Sequence, residues 1–110
     1  MIKEKPSFYL DTYHGDPLRI VWHLSSRGKV HFHREDGPAI IYCTGYHCWY
    51  RNGKPHRTNG PAFTGLGKKS DVWYLDGKML PKQEVEDWID ANNIDIQTEE
   101  GEVAFKLTWS

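Results

Sequence analysis

Along residues 20 to 80 the apolar positions come in short runs, and polar residues with a glycine separate one run from the next. Ala39 to Thr44, Cys48 to Arg51, Ala62 to Thr64 and Val72 to Leu75 are rich in aromatic and β-branched residues, so they predict strands. Asn52-Gly53 and Asp76-Gly77 predict hairpin tips, because a type I′ turn needs positive φ at both central residues. Gly37-Pro38 and Gly60-Pro61 follow Asp36 and Asn59, whose side chains fold back on their own backbone, and predict corners. Gly37 and Gly60 are expected to hold those corners at a positive φ.

Beyond residue 80 the spacing changes. Val85, Trp88 and Ile89 stand at the i, i+3, i+4 spacing of an amphipathic helix, with Pro81 near its start and Asn92-Asn93 as its stop. Ile94 to Gln97 and Val103 to Trp109 predict a last hairpin, since Val103, Phe105, Leu107 and Trp109 alternate with Ala104, Lys106 and Thr108. The fold expected is mainly β: about three tandem antiparallel hairpins, closed by one C-terminal helix and a final hairpin that cover the open edge of the array. As a single domain, 1–110, it divides into an N-terminal strand or cap (1–21), repeats (22–80), the helix (81–93) and the final hairpin (94–110).

The repeats are literal. His33-Arg34-Glu35-Asp36-Gly37-Pro38-Ala39 returns as His56-Arg57-Thr58-Asn59-Gly60-Pro61-Ala62, and Trp49-Tyr50-Arg51-Asn52-Gly53-Lys54 as Trp73-Tyr74-Leu75-Asp76-Gly77-Lys78. A fainter, earlier copy begins at Trp22 and runs through Gly28-Lys29 to His33-Arg34. The phrase running from Trp49 to Ala62 resembles the MORN repeat variant, a short β-hairpin repeat of bacterial and phage proteins. The resemblance covers roughly residues 20 to 80, and the array departs from it at Thr58-Asn59, at the expanded Gly65 to Ser70 turn and at Met79-Leu80-Pro81. It implies a binding or scaffolding surface without shared catalytic residues. A phage accessory or anti-defence protein, or a small antitoxin, fits that resemblance.

Fifteen aromatic residues in 110, five of them Trp, imply an aromatic core, because short repeat strands offer few aliphatic positions. No run of eighteen apolar residues and no charged-then-apolar leader is present, which predicts a cytoplasmic protein, or one in the host cytoplasm if viral, with no membrane span. The two cysteines, Cys43 and Cys48, are expected as free thiols facing one another across a hairpin centred on Gly45-Tyr46. Neither they nor the six histidines have metal-site spacing, and no nucleophile elbow or phosphate loop survives inspection. The chain therefore reads as non-enzymatic, with no cofactor and no metal.

Charge is divided unevenly. Residues 1 to 83 hold thirteen Lys or Arg against seven acids, whereas residues 84 to 110 hold eight acids against one Lys. Stacked repeats would bring His33-Arg34 and His56-Arg57 into register on one side near Lys54, with Trp49 and Trp73 beside them, as a candidate site for a phosphate or carboxylate. The opposing reading is that the same residues only brace the corners. Three functions stay open: a module that binds another protein, a sponge for an anionic small molecule or nucleotide, and a structural self-assembling array, that is, a homo-oligomer. Nucleic acid is disfavoured by the acidic third and a net charge of −1.

Overall fold

A computed structural model describes residues 6 to 110; the part of the expected N-terminal cap covering residues 1 to 5 lies outside the described residues. The chain opens with a long antiparallel hairpin, β1 (Ser7–Tyr13) and β2 (Asp16–Ser26), in which Ser7 faces His23 and Tyr13 faces Asp16. Next come β3 (Lys29–Phe32), β4 (Ile40–Tyr42), β5 (His47–Cys48), β6 (Tyr50–Arg51), β7 (Lys54–Pro55) and β8 (Phe63–Thr64). β9 (Tyr74–Leu75) and β10 (Lys78–Met79) complete the β part, and two helices follow, α1 (Lys82–Ala91) and α2 (Glu99–Trp109). One sheet runs β1-β2-β4-β5-β8 with β3 also on β2, while β6-β7 and β9-β10 form small ribbons. The molecule is mainly β, built of antiparallel hairpins, and forms a slab of 47 × 39 × 21 Å.

The hairpin tips have the backbone that their sequence demands. Asn52 and Gly53 lie at φ 52° and 80°, Asp76 and Gly77 at 47° and 83°. The fainter first copy has the same geometry at Arg27 and Gly28, 52° and 76°, as does His14-Gly15 at 49° and 83°. The corners differ from expectation: neither Gly37 nor Gly60 has a positive φ. Glycine is needed there for room, because an added Cβ would stand 2.9 Å from the guanidinium carbon of Arg34 or Arg57.

Successive units are joined by one set of bonds used twice. Arg34 N–H donates to the Tyr50 carbonyl (3.1 Å) and Arg57 N–H to the Tyr74 carbonyl (3.3 Å). The next tip returns the contact, Gly53 N–H to Phe32 O (2.9 Å) and Gly77 N–H to Pro55 O (2.8 Å). Within a unit, Trp22 and Trp49 N–H donate to Ala39 and Ala62 O, both at 2.7 Å. These pairings satisfy backbone groups that strands of two or three residues would otherwise leave open.

The array stops where the repeat phrase fails. Leu80 N–H still donates to Trp73 O (2.8 Å), the bond His56 makes to Trp49 O at 3.1 Å. Leu80 is an apolar residue in the histidine position, and Pro81, in the arginine position, caps α1. Leu80, Trp73, Leu75, Val85 and Phe105 form the main buried cluster, with Trp88, Ile89, Ile96 and Trp109 packed on it. The helical spacing of Val85, Trp88 and Ile89 is thus the buried face of α1.

The final segment is a helix, not the expected hairpin. Thr98 Oγ1 accepts from Gly101 N–H at 3.0 Å as an N-cap, and Glu99, Glu100 and Glu102 fill the first turn while Lys106 stands in the last. The alternation of Val103, Phe105, Leu107 and Trp109 holds two helical pairs at i, i+4. Phe105 is buried and Trp109 partly so, whereas Val103 and Leu107 are exposed.

The aromatic core is likewise corrected. Of the rings, only Trp73 and Phe105 are buried, and the rest of the core is aliphatic. A slab 21 Å thick has too little interior to enclose more of them, so the other rings lie on its faces, most of them half-buried and Phe8, Tyr9, Tyr13 and Tyr46 exposed. The cysteines do not face each other either. Tyr42 N–H donates to Tyr46 O (2.9 Å), which moves the turn back and sets Ile40 opposite Cys48. Both thiols are free, Cys43 exposed in the turn and Cys48 half-buried.

Candidate functional site

Arg34 and Arg57 leave their strands at the corners and fold back over the tryptophan of their own unit. The guanidinium carbon sits 3.9 Å from the Trp22 ring centroid for Arg34 and 3.8 Å from that of Trp49 for Arg57. Arg34 Nε donates to Asp36 Oδ1 (2.9 Å) and Nη1 to the Pro38 carbonyl (3.2 Å). Arg57 copies both bonds, to Asn59 Oδ1 (2.9 Å) and to the Pro61 carbonyl (3.1 Å). The Arg34 guanidinium holds the Asp36 carboxyl below its ordinary value through that hydrogen bond. At the second corner an amide replaces the carboxylate, and burial pulls the Arg57 guanidinium below its ordinary value.

The histidines point the other way, into the joints between units. Asn52 N–H donates to His33 Nδ1 and Asp76 N–H to His56 Nδ1, both at 2.9 Å. In each the Nδ1 is the acceptor, which leaves Nε2 as the nitrogen that carries the ring proton. Burial lowers the His56 pKa first of all; Asp76 opposes that, and the nearby charges of Arg51 and Lys106 add to it.

A cleft of about 740 Å³ runs along the corners and under α2. Of the residues expected in a site, it brings together Arg34, Trp49, His56 and Arg57. It leaves out His33, which is buried at 6% exposure, Trp73, whose ring meets Phe105 at 5.5 Å between centroids, and Lys54. The stem of Lys54 lies against the next hairpin tip, 3.6 Å from where a Cβ on Gly77 would be. Arg51, Lys106 and Glu102 line the cleft without having been expected there. Arg51 sits in the repeat phrase, but nothing in the local pattern says that Lys106 and Glu102, fifty residues on, return to it on a helix. Among the described residues no group of three or more His, Cys, Asp or Glu is placed to hold a metal.

Tyr50 and Tyr74, which follow Trp49 and Trp73, face the opposite side of the slab. Phe32, Tyr50, Phe63 and Tyr74 form a ladder with centroid separations of 5.3, 5.9 and 5.0 Å. Arg19 closes one end, 6.0 Å from the Phe32 centroid and 5.9 Å from that of Tyr42, and is fixed by Asp11 at 2.6 Å. Beside the ladder lies a hollow of about 350 Å³ walled by Tyr42, Tyr46, Cys48, Phe63 and Val72. All four ladder rings remain half-buried.

No protein-family model, curated protein or solved structure matches this chain. Among the described residues no helix is long and apolar enough to cross a membrane.

Proposed function

We propose that the chain is a non-catalytic interaction module that binds a partner protein through its aromatic face. The observation that carries this reading is the half-buried Phe32–Tyr50–Phe63–Tyr74 ladder with an open hollow at its side. Tyr, Phe and Arg are enriched in interface cores, and the rings among them bury much area while losing little rotamer freedom. The partner's chemistry follows: an apolar side chain to fill the hollow, and polar groups around it to meet the tyrosine hydroxyls. The resemblance to MORN-type arrays supports the same use, and with it a setting in the cytoplasm, as a phage-encoded accessory or anti-defence protein.

The test is a photo-crosslinking amino acid placed at Tyr46, which is exposed at the hollow's edge, in cells that produce the protein. A discrete protein adduct that Thr44→Arg abolishes is the expected result. Adducts obtained only from positions in the cleft would overturn the reading.

A second reading, self-assembly, rests on β1. It is the end strand of the sheet, and Phe8, Leu10 and Tyr13 on it are 67%, 53% and 68% exposed. Its outer edge and apolar side chains fit a second copy of β1. Sedimentation equilibrium should then show a dimer that Leu10→Lys dissociates.

A further inference from the structure

The two corners share every bond but differ in charge, and the difference falls in the cleft. At the first, Arg34 meets the carboxylate of Asp36; at the second, Thr58-Asn59 stands where Glu35-Asp36 stood, so Arg57 meets a neutral amide. Arg57 uses Nε and Nη1 on the corner, and Nη2 makes no hydrogen bond among the described residues. Arg51 and Lys106 line the same cleft, both close enough to His56 to depress its pKa. None of the three cations has a carboxylate within ion-pair distance among the described residues. Four acids also line the cleft: Glu35 and Asp36 at the first corner, where Asp36 is bonded to Arg34, Asp76 beside His56, and Glu102, which accepts from Thr58 Oγ1 at 3.4 Å. One face of Trp49 is covered by Arg57 itself, so a planar base cannot stack on that face.

We infer that the second corner is a binding site for the phosphate of a small hydroxyl-bearing ligand. Arg57, Arg51 and Lys106 take the phosphate, and Asp76 and Glu102 accept from the hydroxyls. Three unpaired cations suit an oxyanion with more than one charge, guanidinium groups present paired donors to it, and the cleft has the volume of a small-molecule site. With that Trp49 face taken by Arg57, a sugar phosphate is set above a nucleotide. This site is separate from the aromatic face and does not depend on the partner proposed for it.

The test exploits the repeat. Asn59→Asp installs at the second corner the carboxylate that the first corner already accommodates, so the fold and the melting temperature should be kept. Calorimetric titration of the wild-type protein with ribose 5-phosphate and with inorganic phosphate should show saturable binding of both, the sugar phosphate tighter. Affinity should fall with added sodium chloride. Asn59→Asp should weaken ribose 5-phosphate by about tenfold or more, since it places a negative charge beside the bound phosphate. Lys106→Gln, a change at an exposed side chain, should weaken it severalfold without affecting melting. No saturable binding of either probe, or affinity unchanged in both variants, overturns the site; inorganic phosphate binding as tightly as ribose 5-phosphate overturns the hydroxyl contacts of Asp76 and Glu102.

Discussion

Arg57 lies over the indole of Trp49 with its guanidinium carbon 3.8 Å from the ring centroid. The pairing is a property of the repeat, since Arg34 covers Trp22 in the same way at 3.9 Å, and it ends with the repeat. In the third unit Pro81 replaces the arginine, and the Trp73 ring is met instead by Phe105 of α2, 5.5 Å between centroids. The helical cap thus supplies to the last tryptophan the cover that each earlier unit supplies to its own.

Both arginines are structural whatever else they bind. Arg57→Gln should lower unfolding free energy by about 1 to 3 kcal/mol, through loss of the ring contact and of two corner hydrogen bonds. Arg57→Lys should fall in the same range, because an ammonium cannot span Asn59 and the Pro61 carbonyl as the planar fork does. Urea unfolding of the two variants checks this; wild-type stability in either would mean that the stack carries no energy.

Gly60→Ala should also destabilise, by about 1 to 3 kcal/mol, as the added methyl forces the Arg57 guanidinium away. The cause is separable by a double-mutant cycle. In an Arg57→Ala background the same glycine substitution should cost much less, since the group it strikes is gone. Additive losses would point instead to backbone strain.

The repeat part of the molecule was legible because each local signal agreed with the next. Asn-Gly and Asp-Gly demand one turn type, Gly-Pro-Ala marks the corner, and the recurrence says that the pieces stack. The C-terminal helix is not legible from periodicity alone, because residues 103 to 109 satisfy two periods at once. Thr98 and the acids after it were the cue that decides for helix. The site was only half legible. Recurrence placed Arg34 and Arg57 together, but His33 and its neighbour Arg34 point to opposite sides, and no local pattern reports that α2 carries Lys106 back to the corner.

Stability should depend on pH through His56. Burial holds its pKa below the ordinary value of about 6.5, so the unfolded chain takes up the proton first. The stabilisation is complete above that value and is lost as pH falls through the lowered folded pKa. Protonation also puts a hydrogen on Nδ1, where Asp76 N–H now donates. Urea midpoints should hold steady from pH 8 to 7 and decline below about 6.5, and His56→Gln should show a shallower decline. An equal slope in the variant would assign the pH dependence elsewhere.

The two thiols should react at different rates. Cys43 is exposed in the turn, whereas Cys48 is half-buried with its thiol pushed up by desolvation, and the thiolate is the reactive form. Iodoacetamide at pH 8 should modify Cys43 faster by on the order of tenfold, read by peptide mass spectrometry at partial labelling. Equal rates would mean that the strand carrying Cys48 opens freely.

Gly101 gives the sharpest test of the cap, because two effects of opposite sign meet there. Within a helix, replacing Gly by Ala normally stabilises by up to about 1 kcal/mol. Here the residue is buried in the first turn of α2, and a Cβ would collide with the carbonyl of Asp95 and stand 3.0 Å from Ile96 Cα. The obstacle is backbone, so it cannot rotate aside. It is also pinned: Thr98 Oγ1 donates to Asp95 O at 2.7 Å, and Gln97 N–H to Asp95 Oδ1 at 3.0 Å. The steric term should therefore win, and Gly101→Ala should lose about 2 kcal/mol or more, as overpacking against a fixed wall does. Because α2 carries Phe105 onto Trp73, the near-ultraviolet circular dichroism of the tryptophans should change with it. Glu100→Ala, one residue away and exposed, should leave both measurements near wild type. A Gly101→Ala protein that melts at or above the wild-type temperature would show that α2 does not dock through this turn.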